Sequence, residues 1–109
     1  MEKLDKEIIS WIAYKTDNDA LSAQLASAEV SRRDYMRTGF FIYFKTPEGL
    51  VAVSESLRPV CPHIDSPDLM DGAGCTLFMR KGFLHYLEIY ARGGFFPKSL
   101  QEFQLRNDD

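Results

Sequence analysis

Residues 72–97 read GAGCTLFMRKGFLHYLEIYARGGFFP, and this stretch decides the fold of the chain. Two apolar runs of strand length flank Lys81 and Gly82, and glycine readily takes the positive φ that a two-residue hairpin turn needs. We therefore predict two antiparallel strands joined at this turn. In a regular register, Phe78 faces His85 across the hairpin.

Both faces of this predicted hairpin are rich in apolar side chains. One face carries Thr76, Phe78, His85, Leu87, Ile89 and Ala91. The other face carries Cys75, Leu77, Met79, Leu84, Tyr86, Glu88 and Tyr90. A sheet with one face in water alternates apolar and polar residues. We therefore expect helices to cover one face, and either the loop over residues 55–74 or a second subunit to cover the other.

Two helices are predicted before the sheet, over about residues 2–15 and 18–29. In the first, Leu4, Ile8 and Ile12 recur at the spacing of one helix face. The second consists of strong helix formers and small residues, which allow a close approach to the sheet.

The sheet is predicted over about residues 30–92. Three arginines in residues 30–37 indicate an exposed edge strand, because charges on an edge prevent unwanted pairing. Residues 40–44 are predicted to form a continuous apolar strand, and residues 50–54 a short one. A capping-box pattern predicts a C-terminal helical turn over residues 97–104.

These elements together predict a single α+β domain over residues 1–109. Two N-terminal helices pack on one face of an antiparallel sheet of about five strands in meander order. The residues that we expect in the core are Phe41, Tyr43, Leu77, Leu84 and Leu87.

The composition limits the classes of function. Charged residues make up 27% of the chain and the net charge is −3, so the basic footprint of a nucleic-acid-binding protein is missing. No apolar run reaches the roughly 18 residues of a membrane span, and the N-terminus has no signal-peptide core. We expect a cytoplasmic protein that binds neither nucleic acid nor membrane, with Cys61 and Cys75 as free thiols.

The loop over residues 55–74 holds the first candidate site. Cys61, His63 and Asp65 offer thiolate, imidazole and carboxylate groups at alternate positions. No further Cys or His pair completes a known ligand spacing, so we expect a solvated acidic loop without a metal or a cofactor. A candidate partner surface comprises Asp65, Asp68, Asp71, Phe95 and Phe96. Of the two phenylalanines, we expect one to be buried and one to be exposed.

Glu88 is the second candidate, as part of a ligand site with Tyr86, Tyr90 and His85. A carboxylate among apolar side chains is a candidate acid or base. In the regular register His85 points to the opposite face, so it does not meet Glu88 directly. The alternative is a structural role, in which Glu88 accepts hydrogen bonds from a tyrosine, an arginine or backbone amides.

The hairpin and the upstream segment AQLASAEVSRRDYMRTGFFIYF also resemble a family of small bacterial α+β proteins of uncharacterised function. The family shows a Gly-rich turn that leads into a hairpin with a Leu-Glu-x-Tyr segment and a final proline, and the likeness covers roughly residues 24–97. The resemblance implies an α+β fold and a bacterial origin, and it provides no catalytic residues. By analogy, small bacterial proteins of this build include immunity proteins that mask a toxin.

These observations favour a non-enzymatic protein-binding module, with an immunity-type protein as its possible form. Two alternatives stay open, a small ligand-binding protein or enzyme with a pocket near Glu88 and Tyr86, and a homodimeric structural protein. The residues 55–74 are too polar to bury much of the second sheet face, so we expect a homodimer to cover it.

Overall fold

A computed structural model describes residues 1–108 and shows an α+β chain of two helices and a six-stranded antiparallel sheet. The helices are α1 (Lys3–Thr16) and α2 (Asp19–Ala26). The strands are β1 (Val30–Tyr35), β2 (Gly39–Phe44), β3 (His63–Asp65), β4 (Ala73–Arg80), β5 (Phe83–Ala91) and β6 (Gln104–Arg106).

Both predicted helices are confirmed, although α2 ends three residues before its predicted limit. α1 is capped at its C-terminus by Asp17, which takes a left-handed conformation with φ 52° and donates its backbone N–H to the carbonyl of Ala13. α2 is capped at its N-terminus by Asn18, whose side chain accepts the N–H of Leu21 at 2.9 Å, as helix N-caps commonly do. Within residues 1–108, neither helix has the length and apolar character that a membrane crossing needs.

The sheet has the strand order β1-β2-β5-β4-β3-β6, so the predicted five-strand meander is wrong. Three consecutive strands, β3 to β5, do form a meander. β2, however, pairs with β5 rather than with β3, and the chain crosses from one side of the sheet to the other between them. The predicted edge position of the arginine-rich strand is confirmed, because β1 pairs only with β2.

Two predicted elements, one central and one near the C-terminus, do not occur in the structure. Residues 50–54 form no strand and instead lie against the hairpin turn, where the Val53 N–H donates to the carbonyl of Gly82 at 2.9 Å. Residues 97–104 form no helical turn, and the chain continues into β6, which pairs with β3 in the register Ile64 to Leu105. The capping-box pattern therefore occurs here without a helix.

A bulge in β5 changes the register of the central hairpin. Next to the turn, Met79 pairs with Leu84 as predicted, but the following pair is Phe78 with Tyr86. His85 is therefore an extra residue on β5, and the register beyond it is shifted by one position. Side chains alternate between the two faces of a strand. The residues of β5 that follow His85 therefore lie on the opposite face, relative to β4, from the one that the regular register predicts.

The helix-covered face carries the buried residues of the hairpin. These are Ala73, Cys75, Leu77, Leu84, Leu87 and Ile89. Thr76, Phe78, Glu88 and Tyr90 point away from the helices, and so do both His85 and Tyr86, whose rings each contact the ring of Tyr43. The predicted opposition of His85 and Tyr86 is therefore wrong.

The hydrophobic core lies between the helices and this face of the sheet. From β2 it receives Phe40, Ile42 and Phe44, all of which are buried. Leu77, Leu84 and Leu87 are confirmed as core residues. Phe41 and Tyr43 are half-buried on the opposite face, so their predicted placement in the core is wrong. The run over residues 40–44 is apolar at every position and does not itself indicate which face is buried.

Candidate functional site: the open face of the sheet

The face of the sheet that points away from α1 and α2, called the open face, carries a cluster of aromatic rings. Tyr86 lies at its centre, with the ring of Phe78 stacked on it at 4.5 Å between centroids. The rings of Tyr43 and Phe41 lie 5.6 Å and 5.9 Å from Tyr86. All four side chains are half-buried, because they shield one another but no helix covers them.

Strand pairing arranges the open face in two rows that cross β1, β2, β5 and β4. The aromatic row is Arg32, Tyr43, Tyr86 and Phe78. The acidic row is Asp34, Phe41, Glu88 and Thr76. Neighbouring residues within a row have Cβ atoms about 5 Å apart, so their side chains pack directly against one another.

At the edge of the open face, Arg32 stacks on the ring of Tyr43 and forms a salt bridge with Asp34. The guanidinium of Arg32 lies 4.3 Å from the centroid of Tyr43 and 3.0 Å from the carboxylate of Asp34. Such stacking is favourable because the ring face is electron-rich. The edge charges of the two rows are thus satisfied within the chain.

Glu88 has no such partner. Among residues 1–108 no arginine, lysine or histidine forms a salt bridge with Glu88, and no side chain or backbone amide outside the strand ladder donates to it. Its carboxylate lies half-buried between Phe41 of β2 and Thr76 of β4. The structural hydrogen bonds that would explain a carboxylate at this position are not found in the described part of the chain.

The side of the aromatic row opposite to Glu88 is basic. Arg80 lies two residues beyond Phe78 along β4 and is followed by Lys81 in the turn, and both are exposed. A groove of about 550 Å³ opens on this side, and it is lined by Ser31, Arg32, Tyr43, Phe44, Thr46, Arg80, Lys81, Phe83, Leu84 and His85. The open face therefore runs from basic, through aromatic, to acidic along the strand direction.

The four residues that the sequence predicted for a ligand site, Glu88, Tyr86, Tyr90 and His85, all lie on the open face. The ring of Tyr90 packs over Gly74, where an added Cβ would come within 2.7 Å of the Tyr90 ring. Only glycine permits this close approach. Of the four residues, only His85 lines the groove at the basic side.

The residues of the predicted partner surface do not form a single patch. Phe96 is fully buried, its carbonyl accepts the Tyr35 hydroxyl at 2.6 Å, and Phe95 is 66% exposed. The prediction of one buried and one exposed phenylalanine is confirmed. Asp65 is bound by Arg106 on β6, which holds the pKa of its carboxyl below the usual value. Asp68 and Asp71 are exposed in the loop between β3 and β4.

Sequence reasoning named His63 and Asp65 but missed Arg92, which forms a polar cluster with them. His63 is buried. Its Nδ1 accepts a hydrogen bond from Nε of Arg92 at 2.9 Å, and its Nε2 lies 3.0 Å from Oδ1 of Asp65. In the described residues, no three His, Cys, Asp or Glu side chains converge as metal ligands would. The absence of a metal or cofactor in solution stays a prediction.

Cys61 and Cys75 are free and lie side by side. A hydrogen bond from the Cys75 thiol lowers the pKa of Cys61, while that same bond and burial raise the pKa of Cys75. The Cys75 thiol has a single hydrogen, and the carbonyl of Pro62 at 3.4 Å is its alternative acceptor. These contacts place Cys75 in the core, so the pair is not part of the open face.

The open face thus combines four packed aromatic rings, an unpaired carboxylate and a basic side on one uncovered surface. The resemblance to small bacterial proteins remains an expectation from the sequence. The chain matches no protein-family model, no curated protein and no solved structure.

Proposed function

We propose that this is a non-enzymatic binding protein that binds a protein partner through its open face. The observation that carries the proposal is the uncovered cluster of Phe41, Tyr43 and Phe78 around Tyr86, with the carboxylate of Glu88 in the neighbouring row. Aromatic residues and arginine are enriched at protein–protein interfaces, and the largest exposed apolar patch of a protein is often a functional surface.

The shape of the open face favours a protein over a small ligand. Ligand sites are concave and enclose most of their ligand. The rings of the open face belong to three neighbouring strands, and the adjacent groove is lined by His85 but not by Tyr86 or Glu88. A broad partner surface can contact all four rings at once, whereas a small molecule would contact one or two.

An immunity-type protein that masks a toxin is one form of this proposal. It rests on the resemblance to small bacterial proteins, and a bacterial origin and a cytoplasmic location belong to it. A toxin gene next to the gene of this protein would support that form.

Site-specific photocrosslinking in the producing cells tests the proposal. A benzophenone amino acid replaces Phe41 on the open face, and a matched variant carries it at Tyr14, which is 80% exposed on α1. We expect a protease-sensitive crosslinked product from position 41 and none from position 14. The proposal is wrong if the folded position-41 variant gives no product, or gives a product that nuclease removes and protease does not.

A further inference from the structure

We infer that the partner on the open face is a second copy of this chain, in a two-fold symmetric dimer with the two open faces in contact. The inference rests on the proposed function and adds the identity of the partner. Its basis is the placement of opposite charges on the two sides of the aromatic row.

The basic and acidic sides lie at matched distances from this row. Arg80 is two residues from Phe78 along β4, and Glu88 is two residues from Tyr86 along β5 in the opposite direction. Two residues of strand span about 6.6 Å. Each charge therefore lies about 6.6 Å from the aromatic row, one on either side.

A two-fold axis along the aromatic row makes the charges of the two open faces complementary. Such an axis lies between the two sheets and places each ring of the row against its own copy. It also carries the acidic side of one copy over the basic side of the other. Glu88 on β5 then lies on the same side as Arg80 of the partner subunit, with a lateral offset of one strand spacing, about 4.8 Å, that the long arginine side chain spans, and the pairing occurs twice. A guanidinium supplied in this way gives Glu88 the partner that its own chain does not provide.

The area of the open face indicates how strong this dimer is. Four strands at about 4.8 Å spacing and about seven residues at about 3.3 Å rise give a face of about 450 Å² per copy. The total of about 900 Å² lies at the low end of specific protein–protein interfaces. We therefore expect a dimer that dissociates on dilution, and association is measured from micromolar concentrations upward.

A nucleic-acid strand fits the same surface less well. Aromatic platforms do stack bases, but they combine the rings with a basic groove that follows the phosphates. On the open face the carboxylates of Asp34 and Glu88 lie in the row next to the rings, and Arg32 is already paired with Asp34. The net charge of −3 opposes the approach of a polyanion as well.

Sedimentation equilibrium with a charge exchange tests the dimer. The unmodified protein is expected to change from a 12.5 kDa species to twice that mass as its concentration rises from about 1 to about 500 μM. Arg80→Glu and Glu88→Arg are each expected to weaken association at least about tenfold, because each places two like-charged pairs in the interface. The double variant exchanges the charges and is expected to recover most of the affinity.

Two further variants control for net charge. Lys6→Glu and Glu7→Arg change the net charge by the same amounts on the exposed surface of α1, and we expect neither to change association. Far-ultraviolet circular dichroism verifies that each variant is folded.

The possible results separate this inference from the proposed function. A monomer at every concentration, together with crosslinks from position 41 to a different protein, overturns the dimer and leaves the proposed function standing. A monomer without any crosslink overturns both. A dimer whose association is unaffected by the single reversals, or is not recovered by the double variant, overturns the pairing of Glu88 with Arg80 across the two-fold axis.

Discussion

At the scale of single residues, the largest departure from expectation is Asp5. The sequence places it in the first turn of α1, where an acidic residue is normally exposed and favourable to the helix dipole. In the structure it is fully buried and binds Arg33 of β1 through two hydrogen bonds of 3.1 Å and 3.4 Å. Burial raises the pKa of the Asp5 carboxyl above its usual value, although Arg33 opposes this effect. The pair joins two distant segments, and no local pattern in the sequence indicates it.

The raised pKa of Asp5 predicts a pH dependence of stability. The folded state holds the Asp5 proton more tightly than the unfolded state, so unfolding releases a proton between the usual pKa and the raised one. The stability from this group is fully present below the usual value of about 3.9 and is lost as the pH rises through the raised pKa. We expect the free energy of unfolding, relative to that of Asp5→Asn, to fall across this window.

Urea denaturation of both proteins at a series of pH values from about 4 upward measures this difference, and the subtraction removes the titration of other groups. A difference that is constant with pH, or that grows as the pH rises, contradicts the prediction.

At the scale of elements, the existence and type of the long segments could be predicted, while the register could not. The periodicity of α1 and the two apolar runs around the hairpin turn are local signals, and both elements are present. The bulge at His85 depends on packing, because it allows Leu84, Leu87 and Ile89 all to reach the core. Their spacing of three and then two residues departs from strand alternation, and this is the signal that indicates the bulge.

The same limit applies to the candidate site. Glu88 and its three predicted companions are found together on one face, but Phe41, Tyr43 and Phe78 were not recognised as its neighbours. In β2 every position is apolar, so sequence alone leaves open which side chains the helices cover. That choice is made by the pairing of β2 with β5, which joins residues more than forty positions apart in the sequence, such as Tyr43 and Tyr86.

Two adjacent phenylalanines test the assignment of faces in β2. Phe40 is 3% exposed and contacts the ring of Phe96, so Phe40→Ala leaves a cavity and is expected to cost about 3–5 kcal/mol. Phe41 lies on the open face, and Phe41→Ala is expected to cost less than about half as much, since its environment is already partly water. Chemical denaturation at low protein concentration gives both values. Equal losses, or a larger loss for Phe41→Ala, would show that the faces are wrongly assigned.

At the scale of the whole molecule, the helical layer and the sheet are built differently from the sequence. The helical layer is continuous in sequence, whereas the sheet gathers segments from residue 30 to residue 106. The two strands at one end of the spatial order, β3 and β6, have three residues each. Their pairing is reinforced by a hydrogen bond of 2.6 Å that Arg106 donates to the carboxylate of Asp65. Strands this short and polar give no periodic signal, so the six-stranded order could not be predicted.

Gln24 joins the two layers at the hairpin turn. Its side-chain amide donates to the carbonyls of Val51 and Gly82, each at 2.9 Å, and its oxygen accepts the N–H of Leu84 at 3.0 Å. The residue is fully buried, so all of its hydrogen-bonding groups are satisfied away from water. The turn of the central hairpin is thereby fixed to α2.

We expect Gln24→Met to destabilise the protein by about 1–3 kcal/mol, because it leaves the buried N–H of Leu84 without a partner and removes one of the two donors to the carbonyl of Gly82. Gln101→Met changes the same side chain at an exposed site and serves as the control. Thermal or urea unfolding measures both. A loss for Gln24→Met within about 0.5 kcal/mol of the control would show that these hydrogen bonds do not hold the layers together.

The distribution of aromatic residues between the layers has a spectroscopic consequence. Trp11, the only tryptophan, lies on α1, while Tyr43, Tyr86 and Tyr90 lie on the open face. Tryptophan emission therefore reports on the helical layer, and the near-ultraviolet dichroism of the packed tyrosines reports mainly on the sheet. Each layer carries its own intrinsic optical probe, so melting curves recorded with the two signals distinguish cooperative unfolding of the whole domain from separate loss of one layer.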